Sequence, residues 1–74
     1  MTGYSSKFVR LVNKAGDAPG VLLGKRCIEL DISVIEIAEH FGVSRTAVYA
    51  WFTGQSQPKK IHQIKIYKFL KKGA

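Results

Sequence analysis

Apolar residues recur along this chain at spacings of three and four, the period at which side chains return to one face of a helix. Phe8, Leu11, Val12 and Ala15 form the first such stripe, with Ser5 or Ser6 as its cap and Gly16 as its stop. It reads as a packing helix that enlarges the core. Asp17, Pro19 and Gly20 follow as a turn signal, because the ring of Pro19 presets a backbone angle and Asp17 can bond amides further on. From about Pro19 to Leu30 the spacing predicts a second helix, with Leu23, Cys27 and Leu30 on one face and Lys25, Arg26 and Glu29 on others. Gly24 inside it costs about 1 kcal/mol relative to alanine, which points to a close helix crossing or a late start.

The pattern is densest between Ser33 and Gly54. Val34, Ile37, Ala38 and Phe41 share a face of a helix that begins at about Val34, where Ser33 and Glu36 have the spacing of a capping box. Gly42 can take the left-handed conformation that ends a helix without a steric penalty. Val43 then returns to the core, and Ser44 caps a further helix whose apolar face is Ala47, Val48 and Trp51. Arg45, Thr46, Tyr49 and Ala50 are left facing outward. A small Ala38 and a turn at Gly42 are what two helices meeting steeply over a short turn require, so this stretch reads as a helix-turn-helix.

Thr53 to Pro58 holds no apolar residue and two turn formers, and is predicted to be a loop. In the tail, Ile61, Ile64, the pair Ile66 and Tyr67, and the pair Phe69 and Leu70 fit one broad helical face, and Pro58 suits a helix start. The same isoleucines and aromatics also fit an irregular strand, with the helix preferred. The expected fold is all-α: four to five short helices in a single domain over residues 5–72, with the helix-turn-helix core at 33–54 and a basic segment at 59–72.

Ala38, Gly42, the apolar Ile37, Phe41, Val43, Val48 and Trp51, and the spacing of Trp51, Gly54 and Pro58 resemble the helix-turn-helix module of phage Cro and repressor proteins. The likeness covers Leu22 to about Lys60. It implies double-stranded DNA as partner, the helix after Gly42 as the reading element, and the preceding helix from Pro19 as a buttress from which Lys25 or Arg26 reaches a phosphate. It also implies that the loop runs beside the DNA backbone, which makes Gln55, Ser56, Gln57 and Lys59 candidate contacts. One position departs from the family, since Val34 stands where many members carry a glutamine that fastens the second helix to the backbone.

Composition sharpens this picture in three places. The chain has 74 residues, enough for one domain and too few for a second, ligand-sensing one. Its net charge of +7 is unevenly spread. Lys7, Arg10 and Lys14 meet no acid before Asp17, the middle is mildly acidic, and every charge after Gly54 is a lysine. Basic ends suit a polyanion, and they carry weight here because a helix-turn-helix accompanies them; alone they would speak only for solubility. The single Cys27 excludes an intramolecular disulfide and reads as a small core residue. No apolar run approaches the roughly 20 residues of a membrane span, so the chain is expected in the cytoplasm, on the nucleoid.

Base readout needs hydrogen-bonding side chains on an element that enters the major groove. Arg45 is the first candidate, since a guanidinium pairs bidentately with guanine, followed by Thr46, Tyr49 and Ala50, the last against a thymine methyl. Ser33, Ser44, Thr53, Gln55, Gln57, Lys59, Lys60, Lys25 and Arg26 are the candidate backbone contacts. Each has a plainer role open to it: Tyr49 at the core edge, Thr53 and Ser44 as caps, the loop residues in solvent. Trp51 and Phe52 read as core, and His40 and His62 as solvated helix residues. With one thiol and no suitable spacing there is no metal site, and no nucleophile, base and orienting group combine into an enzyme. No cofactor, small-molecule ligand or membrane is expected, and a homodimer through the C-terminal segment is. The expected activity is sequence-specific regulation of transcription, most simply repression by occupying an operator. The alternatives are an accessory factor of recombination or excision, and a protein-interaction module on a helix-turn-helix scaffold.

Overall fold

The computed structural model describes residues 4–72. Its element order is α1 (Ser6–Lys14), α2 (Pro19–Leu30), α3 (Val34–Phe41), α4 (Arg45–Phe52) and α5 (Lys60–Lys72), with no strand among the described residues. The tail is therefore a helix. Pro58 sits just ahead of it, buried, with its carbonyl accepting from Gln63 Nε2 at 2.9 Å.

Local chemistry sets the boundaries. The hydroxyls of Ser5, Ser33 and Ser44 accept from the amides of Phe8, Glu36 and Ala47 at 3.1, 3.2 and 3.1 Å, each filling a donor that an α-helix leaves open at its start. At the other end of α3, Gly42 stands at φ +68°, and the Val43 amide reaches back to the Ala38 carbonyl at 3.0 Å. That six-to-one bond is the Schellman closure. The same closure ends α2, where Ile32 N bonds Cys27 O at 2.8 Å, but the left-handed residue there is Asp31 at φ +58°.

The core gathers Val12 from α1, Val21, Leu23 and Cys27 from α2, Ile37 and Phe41 from α3, Val48, Trp51 and Phe52 from α4, and Ile66 from α5. α2 is the central post, packing on α1, α4 and α5, while α3 packs chiefly on α4. α4 is pressed onto α2 at two glycines. A Cβ on Gly20 would lie 2.8 Å from the Trp51 carbonyl oxygen, and one on Gly24 2.8 Å from Phe52 Cγ. Of the two explanations for Gly24, the close crossing is the one realised.

Four apolar positions expected inside face out. Leu30 is 45% exposed because the packed side of α2 is turned towards Gly20 and Gly24, which present backbone rather than side chain to α4. Leu11 is 51% exposed, since α1 buries only the narrow stripe around Val12 and Phe8. On α5 the inward stripe is Ile66 with Phe69 and Leu70 packed beside it, so Ile61 and Ile64, on the opposite side, remain exposed together with Tyr67. His62 also departs from expectation. Its ring lies 5.3 Å from that of Trp51 and 6.2 Å from that of Phe41, half-buried rather than solvated.

Candidate nucleic-acid interface

The outward arc of α4 follows from the burial of its other side. With Val48, Trp51 and Phe52 buried, a 100° step per residue leaves Arg45, Thr46 and Tyr49 exposed and Ala50 half-buried at the margin. α5 does not cover this arc. It packs chiefly on α2, and its His62 ring lies 5.3 Å from the buried Trp51 of α4.

Tyr49 has a dual position. Its ring meets Phe8 edge-on with centroids 5.3 Å apart, yet 46% of the residue is open to solvent. Phe8 in turn stacks on Tyr4 at 5.8 Å, and the Tyr4 hydroxyl donates to the Ile32 carbonyl. An aromatic chain thus holds Tyr49 from one side. Arg45 and Tyr49 share with Tyr4, Asp31 and Ser33 a shallow cleft of about 380 Å³ at the amino end of α3. Burial, with further pushes from the Asp31 and Glu36 carboxylates, raises the Tyr4 phenol above its ordinary range.

The backbone candidates divide by what already holds them. Gln55, Gln57, Lys59 and Lys60 are exposed on the stretch after α4, as are Ser33 and Ser44 at the helix starts. Both serines use an oxygen lone pair in capping; the Ser33 hydroxyl also lies 3.5 Å from a Glu36 carboxylate oxygen. Thr53 is turned back onto its own helix, donating to the Tyr49 carbonyl at 2.9 Å, as its capping role requires. Lys25 donates to the Gly16 carbonyl at 3.1 Å and lies 3.9 Å from Asp17, and Arg26 pairs with Glu29 at 2.8 Å. Lys25 ties α2 to the turn that precedes it, Arg26 is engaged within α2 itself, and neither lines the cleft that holds Arg45 and Tyr49.

No family model, curated protein or solved structure matches the chain. The site must therefore be read from its own chemistry. Burial, with a smaller push from Glu36, raises the Cys27 thiol to about 12, so it is protonated at neutral pH and unsuited to attack or ligation. Among the described residues no group of three His, Cys, Asp or Glu side chains could hold a metal ion, and no helix is long and apolar enough to cross a membrane. A larger hollow of about 840 Å³ lies between α3 and α5, floored by Ile37 and Phe69 and rimmed by Lys65 and Lys68. No residue of α4 lines it.

Two features of this surface leave little trace in the sequence. Phe8, a core residue by its spacing, also supports Tyr49; a two-helix contact of this kind leaves no signature in the spacing of either helix. Gly20 was assigned to a turn, although it also seats Trp51; its distance of four from Gly24 was the available signal, because residues four apart share a helix face.

Proposed function

We propose that the protein is a sequence-specific binder of double-stranded DNA that inserts α4 into the major groove and represses transcription by occupying an operator. The observation that carries the reading is the open arc of α4: Arg45, Thr46 and Tyr49 project from a helix whose other sides are held by α2, α3 and α1. A helix about 10–12 Å across fits a major groove about 12 Å wide. Arg45 serves guanine, Thr46 and Tyr49 read neighbouring edges, and Ala50 at the margin meets a thymine methyl. Ser44 retains a hydroxyl proton for a phosphate, Ser33 offers its own once it leaves Glu36, and Gln55, Gln57, Lys59 and Lys60 follow the backbone beyond α4.

Two copies on half-sites about 34 Å apart would double the contacts. The exposed Ile61, Ile64 and Tyr67 of α5 supply the apolar side of such a pairing. A selection from random duplexes at a fixed salt concentration tests the reading. Enrichment of a common site, lost when Arg45→Ala and Thr46→Ala are introduced, is the expected result. A protein that enriches no sequence, or whose affinity ignores both substitutions, is not an operator-reading factor.

A further inference from the structure

We infer that α1 is a second DNA-contacting element, in which Lys7 and Lys14, with Arg10 beside them, grip the phosphate strand bordering the groove on the Tyr49 side. The inference rests on the reading of α4 just given and extends it to residues for which only a packing role was expected.

Three observations place α1 there. First, α1, which packs chiefly on α2, also touches α4 and the turn after it through its side chains. Phe8 meets Tyr49 and Phe52, with ring centroids 5.3 and 6.4 Å apart, and one helical stripe later the Ala15 carbonyl oxygen lies 3.5 Å from where a Cβ on Gly54 would stand. Second, the helix phase turns the cations outward on the α4 side. Phe8 and Ala15 face α4, and Val12, fully buried, lies on the core side of that stripe. Lys7 and Lys14 each precede a member of the stripe by one residue, a 100° turn away from Val12, onto the surface that α1 and α4 share. Leu11, exposed, lies between them on that surface. Third, the patch is uncompensated within the helix, since no acid occurs before Asp17 and Lys7, Arg10 and Lys14 are all exposed.

The dimensions then select the occupant. A helix that reaches α4 only through large aromatic side chains stands about 10 Å or more from its axis. A groove about 12 Å wide has its walls roughly 6 Å from its midline, so a neighbour at that spacing overhangs one wall. Lys7 and Lys14 are separated by about 10.5 Å along α1, at 1.5 Å per residue. Successive phosphates of one strand lie closer together than that span, so the two lysines reach separate phosphates. A strand of regularly spaced negative charge matches this row of three cations on one helical face.

The test compares two double variants on the selected duplex and on a random one. Lys7→Gln with Lys14→Gln removes the proposed grip, and Lys65→Gln with Lys68→Gln removes equal charge from the hollow between α3 and α5. Helical content by circular dichroism checks that each folds. Loss of two phosphate contacts flattens the log-log salt dependence by about 1.8, so affinity should fall about 12-fold less than wild type between 50 and 200 mM salt, equally on both duplexes. The control pair should keep the wild-type slope. An unchanged slope in the α1 variant, or an equal flattening in both, overturns the inference while site preference dependent on Arg45 stands. Absence of any site preference in the wild type overturns the reading of α4, and the inference with it.

Discussion

At the scale of single residues, the orientation of α4 depends on two hydrogens where side chains would otherwise stand. Gly20 meets the Trp51 backbone and Gly24 meets the Phe52 ring, both at 2.8 Å from a hypothetical Cβ. Alanine at either position gains about 1 kcal/mol in helix propensity but overpacks the crossing, a strain that typically costs about 1–3 kcal/mol. Gly20→Ala should be the more damaging, because a carbonyl cannot swing aside as a ring can. Urea unfolding should show a lower midpoint for Gly20→Ala than for Gly24→Ala, with wild type above both; a Gly20→Ala protein as stable as wild type would contradict this packing. Gly24 was legible in the sequence as a suspect, because glycine inside a helix stands out. Gly20 was not, because it follows Pro19, and that pair already had a turn to explain it.

Cys27 makes a separate prediction at this scale. Its thiol is pushed up to about 12 in the folded chain from an ordinary value of 9.0, first by burial and then by Glu36. Between those values the unfolded chain releases the proton and the folded chain keeps it. The stability associated with the buried thiol is therefore complete below pH 9.0 and declines as pH rises towards about 12. Burial displaces the Tyr4 phenol in the same direction. Urea midpoints should fall between about pH 8 and about pH 11, and Cys27→Ala should fall by less over the same interval. Equal declines would place the alkaline loss elsewhere.

At the scale of elements, the helices and their ends were largely legible, and the faces less so. Ser33, Gly42 and Ser44 announce where α3 and α4 start and stop because capping is local chemistry between residues two to five apart. The end of α2 carries no glycine, and Asp31 fills the left-handed position instead, which only the backbone reveals. Which face an element buries depends on what it packs against. Leu11, Leu30, Ile61 and Ile64 are apolar by composition and exposed by geometry.

The outer face of α5 combines Ile61, Ile64 and Tyr67 with lysines on the same side of the helix, Lys60 and Lys71. A helix of 13 residues is about 20 Å long, so its face offers only a few hundred Å², well under the roughly 800 Å² per partner of a stable interface. Two such faces also repel. Self-association through α5 should thus be weak and should strengthen as salt screens the lysines, opposite in sign to the salt effect on DNA binding. Sedimentation at two salt concentrations checks this, with Ile64→Glu expected to abolish the association. A dimer that dissociates with added salt would assign the contact to another face.

At the scale of the whole molecule, positive charge is arranged around the α4 arc rather than over it. Lys7, Arg10 and Lys14 lie on α1, Lys59 and Lys60 follow the loop beyond Gly54, and of the acids Asp31 lines the cleft that also holds Arg45 and Tyr49. That arrangement was half legible: the charge blocks are evident in the sequence, but the placement of α1 alongside α4 comes from the Phe8 to Tyr49 contact, between residues far apart in the chain.

The most direct test of the central claim, that α4 occupies a major groove, is methylation interference on the selected duplex. Dimethyl sulfate marks guanine N7 in the major groove and adenine N3 in the minor groove. The account predicts that N7 methylation of one or two guanines per half-site blocks binding, that one of these effects disappears with Arg45→Ala, and that adenine N3 methylation within the half-sites is tolerated. Interference confined to adenine N3, or the same guanine pattern in the Arg45→Ala protein, would contradict it.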